Sequence, residues 1–197
     1  ALRLTGQCPN PRILLHVFYD SKGVQSNRQA ALIRFGELVG IYRRQLGTNL
    51  QMTSATEINT SRAPRNVGRL IHWFINNWSG SRNGDIGLLF TFNPSRIGYR
   101  RLHGQARYCR GQYALTCNDP SIGPLAPMCW VKSGDPARTV RAIAMQEMSH
   151  VLGASNNATG HQCRTMEKHC HFRVFGICLF PKHHHRSCMF SIPDCKG

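Results

Sequence analysis

The sequence predicts an α/β protein with a mostly parallel β-sheet. Three short apolar segments, each of strand length, alternate with two longer segments whose apolar residues recur at helical spacing. This βαβαβ order is typical of a parallel sheet covered by helices. The 197 residues suffice for one domain with a real hydrophobic core. No apolar run approaches the roughly 18 residues that a membrane-spanning helix needs.

The first half of the chain begins with a strand, a helix and a second strand. Residues 12–19, RILLHVFY, form a compact apolar run that predicts a buried strand. The following helix is predicted to start at a cap, Ser26 or Asn27, and to end at Gly47. Residues 49–58 then predict the second strand. The helix has its apolar positions at Leu32, Phe35, Val39, Tyr42 and Leu46.

A second helix and a third strand follow. Residues 66–79 place their apolar side chains on one helical stripe, and residues 85–92 are apolar nearly throughout, as in the centre of a sheet. Residues 93–130 are rich in Arg, Gly, Pro and Cys, and we expect a long loop with one or two edge strands. The stripe of the second helix comprises Val67, Leu70, Ile71, Phe74, Ile75 and Trp78.

A third helix is predicted over residues 137–152. Asp135 is the expected cap and Pro136 the expected first helical residue, which is a common helix opening. Gly153 is expected to end the helix. From residue 154 onward the composition turns to Cys, His and Gly with little periodicity, which indicates a segment held by disulfides.

Nine cysteines indicate an oxidising compartment. No Cys-x-x-Cys pair occurs, so a disulfide framework is favoured over a zinc ribbon. Because nine is odd, one thiol is free or bonds another chain, and the isolated Cys8 is the first candidate. The expected disulfide-forming residues are Cys109, Cys117, Cys129, Cys163, Cys170, Cys178, Cys188 and Cys195.

Three Asn-x-Ser/Thr sequons, at Asn59, Asn77 and Asn157, are glycosylation candidates. Together with the cysteines they predict a secreted, extracellular protein. A role in nucleic-acid regulation inside a cell is disfavoured, since no helix-turn-helix or zinc-finger spacing occurs.

The net charge of +16 favours polyanionic partners such as a sulfated glycan or an acidic protein. Dispersed, solvated charge without a specific partner is the alternative. Arginine dominates, and its planar fork of donors suits sulfate, phosphate and carboxylate. The polyanion-binding candidates fall into two groups, which are Arg62, Arg65 and Arg69, and then Arg96, Arg100, Arg101, Arg107 and Arg110.

The segment 146–156, QEMSHVLGASN, has the frame of a zinc-peptidase helix without its ligands. In such a helix two His at i and i+4 share the metal, and the Glu after the first His polarises a water. A Gly three residues after the second His turns the chain toward a third His. In this sequence Glu147 and His150 stand at the general-base and second-ligand positions. Gln146 and Asn156 stand where the first and third His would be.

This segment resembles the active-site region of the adamalysin/reprolysin branch of the metzincins, the snake-venom and ADAM-type metalloproteases. Residues 111–123, GQYALTCNDPSIG, resemble the stretch before the active-site helix, and Met166 follows Thr165 where the family has its Met-turn. The resemblance implies a metzincin-like catalytic-domain fold with a twisted sheet, two long helices and an active-site-type helix. It also implies that Cys117 pairs with Cys195 or Cys188.

The resemblance further implies one metzincin-like domain over residues 1–197. Its upper α/β part would span residues 1–153, and a small disulfide-rich lower part would span residues 154–197.

The departures from the motif predict a pseudoprotease without zinc or another cofactor. Gln and Asn offer neutral amide oxygens, which are weak ligands for Zn²⁺. Glu147 is therefore vestigial as a catalytic residue, and His150 is expected to be a buried structural histidine. An ordinary amphipathic helix that ends at Gly153 is the simpler alternative. A working endopeptidase would need other histidines to rebuild the site, and the candidates are His161, His169, His171, His183, His184 and His185.

The favoured function is that of a secreted, cationic binding protein. It would hold a peptide in the vestigial cleft, an acidic glycan, or both. A matrix protein crosslinked through Cys8, as a homo- or hetero-oligomer, is the alternative. A defence component acting on membranes is less favoured, since no strongly amphipathic basic helix is visible. His183–His185 could bind transition metals adventitiously or form a solvated basic turn.

Overall fold

The computed structural model describes residues 12–21, 24–46, 48–92, 96–97, 100–101, 103–107, 109, 113–117 and 125–153, together with four two-residue strands beyond residue 168. Within these ranges, the chain forms a mixed α/β fold with a five-stranded, mostly parallel sheet and three α-helices. The expected fold class is therefore confirmed. No helix in these ranges combines the length and hydrophobicity needed to cross a bilayer.

The first half of the chain contains three strands and two helices. These are β1 (Arg12–Asp20), α1 (Val24–Ile41), β2 (Asn49–Ile58), α2 (Val67–Trp78) and β3 (Ile86–Thr91). The predicted strand over residues 49–58 matches β2, and Asn66 caps α2 with its side chain. Helix α1 begins at Val24, so the expected caps Ser26 and Asn27 lie inside its first turn. Its last turn widens into a π-helix, Tyr42–Leu46.

The second half begins with β4 (Arg96–Ile97), β5 (Arg100–Arg101), β6 (Gly104–Ala106) and β7 (Met128–Lys132), and it continues into α3 (Ala137–Val151). Short 3-10 turns occur at Ser79–Ser81 and Ala114–Thr116. Beyond α3, the strands β8 (His169–Cys170) and β9 (Arg173–Val174) pair antiparallel with β11 (Pro181–Lys182) and β10 (Ile177–Cys178), respectively.

The five-stranded sheet has the order β2-β1-β3-β7-β6. The first four strands run parallel, and β6 runs antiparallel along β7 at the edge. The expectation that residues 93–130 form a loop with only edge strands is therefore wrong for β7, which lies inside the sheet. Its five residues, MCWVK, are too few for the sequence pattern to distinguish a buried strand from an apolar loop.

Alternating side chains of the sheet build two hydrophobic cores. On one face, Leu15, Leu88 and Val131 pack with α1 and α3. On the other face, Phe18 and Trp130 pack with α2. The stripe expected on α2 is largely confirmed, since three of its members are fully buried and two more pack against them. The buried members are Leu70, Ile71 and Phe74, and the partly buried ones are Ile75 and Trp78.

A buried carboxylate joins the ends of β1 and β3. Oδ2 of Asp20 accepts hydrogen bonds from the hydroxyl of Thr60, the hydroxyl of Thr91 at 3.1 Å and the backbone N–H of Phe92 at 3.2 Å. A buried charge of this kind is tolerated only with several donors. The network therefore holds the carboxyl ends of the central strands in register.

Asp135 does not cap α3, contrary to expectation. Pro136 occupies the cap position without a side-chain hydrogen bond. The Asp135 carboxylate pairs instead with the His103 ring and with Nζ of Lys132 at 3.4 Å. Because His103 precedes β6 and Lys132 ends β7, these pairs tie the start of α3 to the edge of the sheet.

His16 is a buried histidine that the fold holds neutral. Its ring stacks on Phe18 with centroids 4.0 Å apart. Nδ1 accepts the backbone N–H of Asn83 at 3.0 Å, so the proton is on Nε2, which lies 2.7 Å from the Thr56 hydroxyl. Burial lowers the pKa of His16 below its ordinary 6.5. Protonation would convert Nδ1 into a donor facing the donor on Asn83.

We expect His16 to make stability pH-dependent on the acid side. Because its pKa is lower in the folded chain than in the unfolded chain, its contribution is complete above about pH 6.5 and decreases as the pH falls toward the folded-state pKa. Urea unfolding of the wild type and of His16→Gln at several pH values measures this effect. The loss of unfolding free energy on acidification should be smaller in the variant. Equal losses in the two proteins would contradict the assignment.

Candidate functional site

Helix α3 carries the candidate site and is almost completely buried between residues 142 and 151. It lies against β7 and the edge strand β6, and it also contacts α1. Arg141 extends toward Glu37 of α1, with Nη1 3.9 Å from Oε2. The helix is therefore fixed on several sides, and its polar residues hold defined positions.

The contact between α3 and β6 depends on Gly104. A Cβ atom at this position would collide with Cγ2 of Ile143 and would lie 2.9 Å from the carbonyl oxygen of Trp130 and 3.0 Å from Cγ of Glu147. Glu147 thus lies directly beneath the edge strand. Gly104 is not among the residues that the sequence singles out, since one Gly in an irregular stretch carries no signal of close packing.

Three of the predicted site residues are brought together on one buried stretch of α3. Gln146, Glu147 and His150 are only 7%, 6% and 3% exposed. Residues four apart on a helix share a face, so Gln146 and His150 are stacked one turn apart. Asn156 and Met166, the other two motif positions, lie outside the described residues.

Oε1 of Gln146 is buried and has no hydrogen-bond partner among the described residues. An unsatisfied buried acceptor typically costs about 1–3 kcal/mol. By contrast, the neighbouring hydroxyl of Ser149 donates to the carbonyl oxygen of Met145 at 2.7 Å. The amide at the first ligand position is therefore an acceptor that the described part of the fold leaves unused.

Gly153 ends α3 as the sequence predicts. Its φ of 99° is a conformation that residues with a Cβ rarely adopt, and its N–H donates to the carbonyl oxygen of His150 at 2.9 Å. Of the motif positions, Glu147 and His150 are therefore buried side chains on α3, and Gly153 forms the turn after the helix.

The described part of α3 supplies only part of a zinc-peptidase ligand set. They contain no group of three His, Cys, Asp or Glu side chains that could hold a metal. At the helix itself the donors are one amide oxygen, one carboxylate and one imidazole, whereas catalytic zinc takes three strong protein ligands. The alternative ligands His161, His171 and His183–His185 lie outside the described residues, and His169 is described only as part of β8.

Cys129 is a free, buried thiol, which corrects the expectation that it forms a disulfide. It lies in β7 within the core shared with α1 and α3. Burial, and secondarily the charge of Glu147, raise the pKa of the thiol well above its ordinary value. Burial, together with Cys129, also raises the pKa of Tyr42. The thiol is therefore protonated and unreactive at neutral pH.

The described disulfide joins Cys109 and Cys117, with Cα atoms 5.6 Å apart. The implied pairing of Cys117 with Cys195 or Cys188 is therefore wrong. With nine cysteines at least one must lack an intrachain partner, and the free Cys129 meets that requirement. The odd count is therefore no longer a reason to expect an unpaired Cys8, which lies outside the described residues. The remaining disulfide candidates, Cys163, Cys170, Cys178, Cys188 and Cys195, have no described side chains.

The first basic group is exposed around the start of α2, where Arg62, Arg65 and Arg69 lie. Helix α2 covers the sheet face opposite to α3, so this group is separated from the site by the sheet. In the second group Arg107 is half-buried, and Arg110 lies outside the described residues. Its other members are Arg96 on β4 and Arg100 and Arg101 on β5.

Two of the three sequons are exposed. The side chain of Asn59 accepts the N–H of Ser61 at 2.8 Å in a local turn. The side chain of Asn77 donates to the carbonyl oxygen of Trp73 at 2.8 Å near the end of α2. Asn157 lies outside the described residues. The first two side chains are thus accessible, which is a requirement for glycosylation.

No protein-family model matches the chain, and no curated protein matches it in sequence. Among solved structures, the chain is similar to one in the structure of a chaperone–substrate complex, with a TM-score of 0.52 and 13% identity. The match covers 77% of this chain and 25% of that one, so this chain spans about a quarter of that protein's length. At 13% identity, the likeness shows a shared fold alone.

Two metalloproteases are also structural neighbours. Archaemetzincin from Methanopyrus kandleri has a TM-score of 0.49 and 13% identity, over 75% of this chain and 78% of that one. Metalloproteinase-II from Bacteroides fragilis has a TM-score of 0.47 and 11% identity, over 73% of this chain and 43% of that one.

We expect a side chain at position 104 to destabilise the fold. Gly104→Val should lower the free energy of unfolding by about 1–3 kcal/mol, because α3 would have to shift away from β6. Urea unfolding monitored by circular dichroism measures the change.

The matched control is Gly36→Ala in α1, where a Cβ meets nothing within 4 Å. This change should stabilise the chain by about 0.5–1 kcal/mol, since Gly lowers helix stability. Equal effects of the two substitutions would show that close packing at Gly104 is not the cause.

Proposed function

We propose that this chain is a secreted, metzincin-like pseudoprotease that binds its partner without cleaving it. The observation that carries this proposal is the buried Gln146, where a zinc peptidase helix has its first imidazole. Its amide oxygen has no hydrogen-bond partner in the part of the chain that the structure describes. Glu147 has no metal-activated water to act on in such a site. Without the metal, the site consists of the buried face of α3 packed against the edge strand β6.

The motif supports placing the chain in the adamalysin/reprolysin branch. Glu147, His150 and Gly153 keep their family positions, and the positive φ of Gly153 gives the turn that the family motif requires after its second His. The Cys109–Cys117 disulfide supports secretion, since such bonds persist in oxidising compartments.

Donor chemistry and charge both oppose metal binding. Loss of an outer partner of a ligand typically weakens metal affinity 10–100-fold, and replacement of two imidazoles by amides should weaken it further. The net charge of +16 also disfavours the approach of a dication.

Restoring the two missing imidazoles should restore zinc binding. We expect Gln146→His/Asn156→His to bind Zn²⁺ at least about 100-fold more tightly than the wild type does. Competition with a chromophoric chelator measures the affinity. Gln146→Ala/Asn156→His is the matched control and should bind zinc much more weakly than the double-histidine variant.

The wild type is tested alongside for zinc content after dialysis and for cleavage of a quenched fluorescent peptide library. We expect no retained zinc and no cleavage that a chelator stops. Stoichiometric zinc combined with chelator-sensitive cleavage would refute the pseudoprotease and establish an active endopeptidase with an unusual ligand set.

Polyanion binding is the second part of the proposal, and the first basic group supports it. Arg62, Arg65 and Arg69 are exposed, and none has an ion-pair partner within the described residues. Unpaired guanidinium groups this close in sequence offer a planar, bidentate fit to sulfate.

Replacing these three residues by Ala should weaken binding to immobilised heparin. The triple variant should elute at lower salt, and the slope of log affinity against log salt should decrease by up to about three. The charge-matched control replaces Arg28, Arg43 and Arg44, which are exposed on α1 and its terminal π-turn. Equal shifts in the two variants would show that net charge alone is responsible.

A further inference from the structure

The solvent-facing side of α2 extends the first basic group along the helix. Arg69, His72 and Asn76 are all exposed, and their spacing of three and four residues places them in one row about 10 Å long. The opposite side of the helix carries Leu70 and Phe74, which are fully buried against the sheet. The row therefore faces solvent as a whole, and His72 lies about one turn from Arg69.

Two further arginines of the first basic group prolong this row beyond the start of the helix. Arg62 and Arg65 are exposed just before α2, and the first turn of the helix contains no acidic residue. Among the described residues, no ion pair includes Arg62, Arg65, Arg69 or His72. The row thus offers hydrogen-bond donors that no carboxylate of the described ranges neutralises.

The other ionisable residues near α2 lie on the sheet face beneath it, opposite to His72. Asp20 accepts three hydrogen bonds within its own network, and His16 is held between a backbone N–H and a hydroxyl. Lys132 pairs with the carboxylate at the start of α3, and Arg12 lies at the start of β1. A change in the charge of His72 is therefore directed toward solvent and toward the arginines of its own row.

An imidazole in such a row makes the affinity for an anion depend on pH. The charge of histidine changes between pH 5 and 8, whereas a guanidinium stays charged throughout this range. Once protonated, His72 adds a cation to the row, and both of its ring nitrogens become donors. A sulfate ester keeps its charge over the same range, so only the protein side of the contact titrates. A row, unlike a compact cluster, fits a linear chain with repeated sulfates.

We propose that His72 is an acid-dependent member of the anion-binding surface on α2, so that a linear sulfated glycan along Arg65, Arg69 and His72 binds more tightly at acidic pH. This inference rests on the proposed function, because it requires that the first basic group binds polyanions. It adds a fourth cation to that group and makes the binding of the glycan reversible by pH.

Heparin fragments of defined length are the probe, and fluorescence anisotropy measures their affinity at about pH 5.5 and about pH 7.5 at one ionic strength. Acidification should strengthen binding about threefold less in His72→Gln than in the wild type. At the higher pH, His72→Arg should bind about threefold more tightly than the wild type, since its charge is permanent. The other histidines titrate in all of these proteins, so the differences between them isolate His72.

His103→Gln is the matched control. The side chain of His103 is 43% exposed, and it pairs with Asp135 at the start of α3 instead of lying on α2. This variant loses the same kind of titratable group and should keep the acid-dependent gain of the wild type. All of the exchanged side chains are at least partly exposed, so the variants should fold, and circular dichroism at both pH values verifies this. An equal loss of the gain in His72→Gln and His103→Gln would overturn the inference, because overall charge would then be the cause.

The outcomes separate the inference from the proposed function. If the wild type does not bind the fragments at either pH, the proposed polyanion binding fails and the inference fails with it. If binding depends on Arg62, Arg65 and Arg69 but strengthens equally on acidification in the wild type and in His72→Gln, the inference alone is overturned. A smaller acid-dependent gain in His72→Gln, together with tighter binding by His72→Arg at the higher pH, supports it.

Discussion

The close packing of α3 against the edge of the sheet is the constraint on which the rest of the site depends. At Gly104 the backbone of β6 lies so near the helix that Ile143 and Glu147 leave no room for a side chain. Asp135 adds to this constraint by pairing with His103 before β6 and with Lys132 at the end of β7. The start and the middle of the helix are thus both held to the edge of the sheet. Because protein interiors are densely packed, the helix has little freedom to move, and Gln146 and His150 keep their burial.

Several buried polar atoms on this face of the sheet oppose the stability of the fold. The hydroxyl of Tyr42 and the amide oxygen of Gln146 are both buried and lack hydrogen-bond partners within the described ranges, and the thiol of Cys129 is buried in the same core. An apolar residue at position 146 would serve stability better. By contrast, the buried Asp20 carboxylate is satisfied by donors of Thr60, Thr91 and Phe92, and this network stabilises the fold.

The regular elements with long, strongly periodic patterns were predictable. Strand β1, strand β2 and helix α2 agree with the sequence within one or two residues. The nearly continuous apolar run of β1 and the apolar stripe of α2 are strong local signals. The predictions were wrong where only one or two residues indicated the structure, as at the helix caps. Asp135 was expected at a cap, but a nearby imidazole and an ammonium group offered its carboxylate stronger partners than the backbone. Ser26 and Asn27 suit a cap equally well, yet the helix begins before them.

The sequence by itself determined helix α3, its end at Gly153 and the order of Gln146, Glu147 and His150 along it, because helical spacing and the demand for a positive φ are local properties. Only the tertiary structure decided that β7 lies inside the sheet, that Cys109 pairs with Cys117 while Cys129 stays a thiol, and that Gly104 lies against the helix. These features depend on which segments meet in space. The sheet order and the contact at Gly104 join residues far apart in the chain, and the disulfide joins cysteines only eight residues apart. Local patterns of hydrophobicity carry no information about any of these contacts.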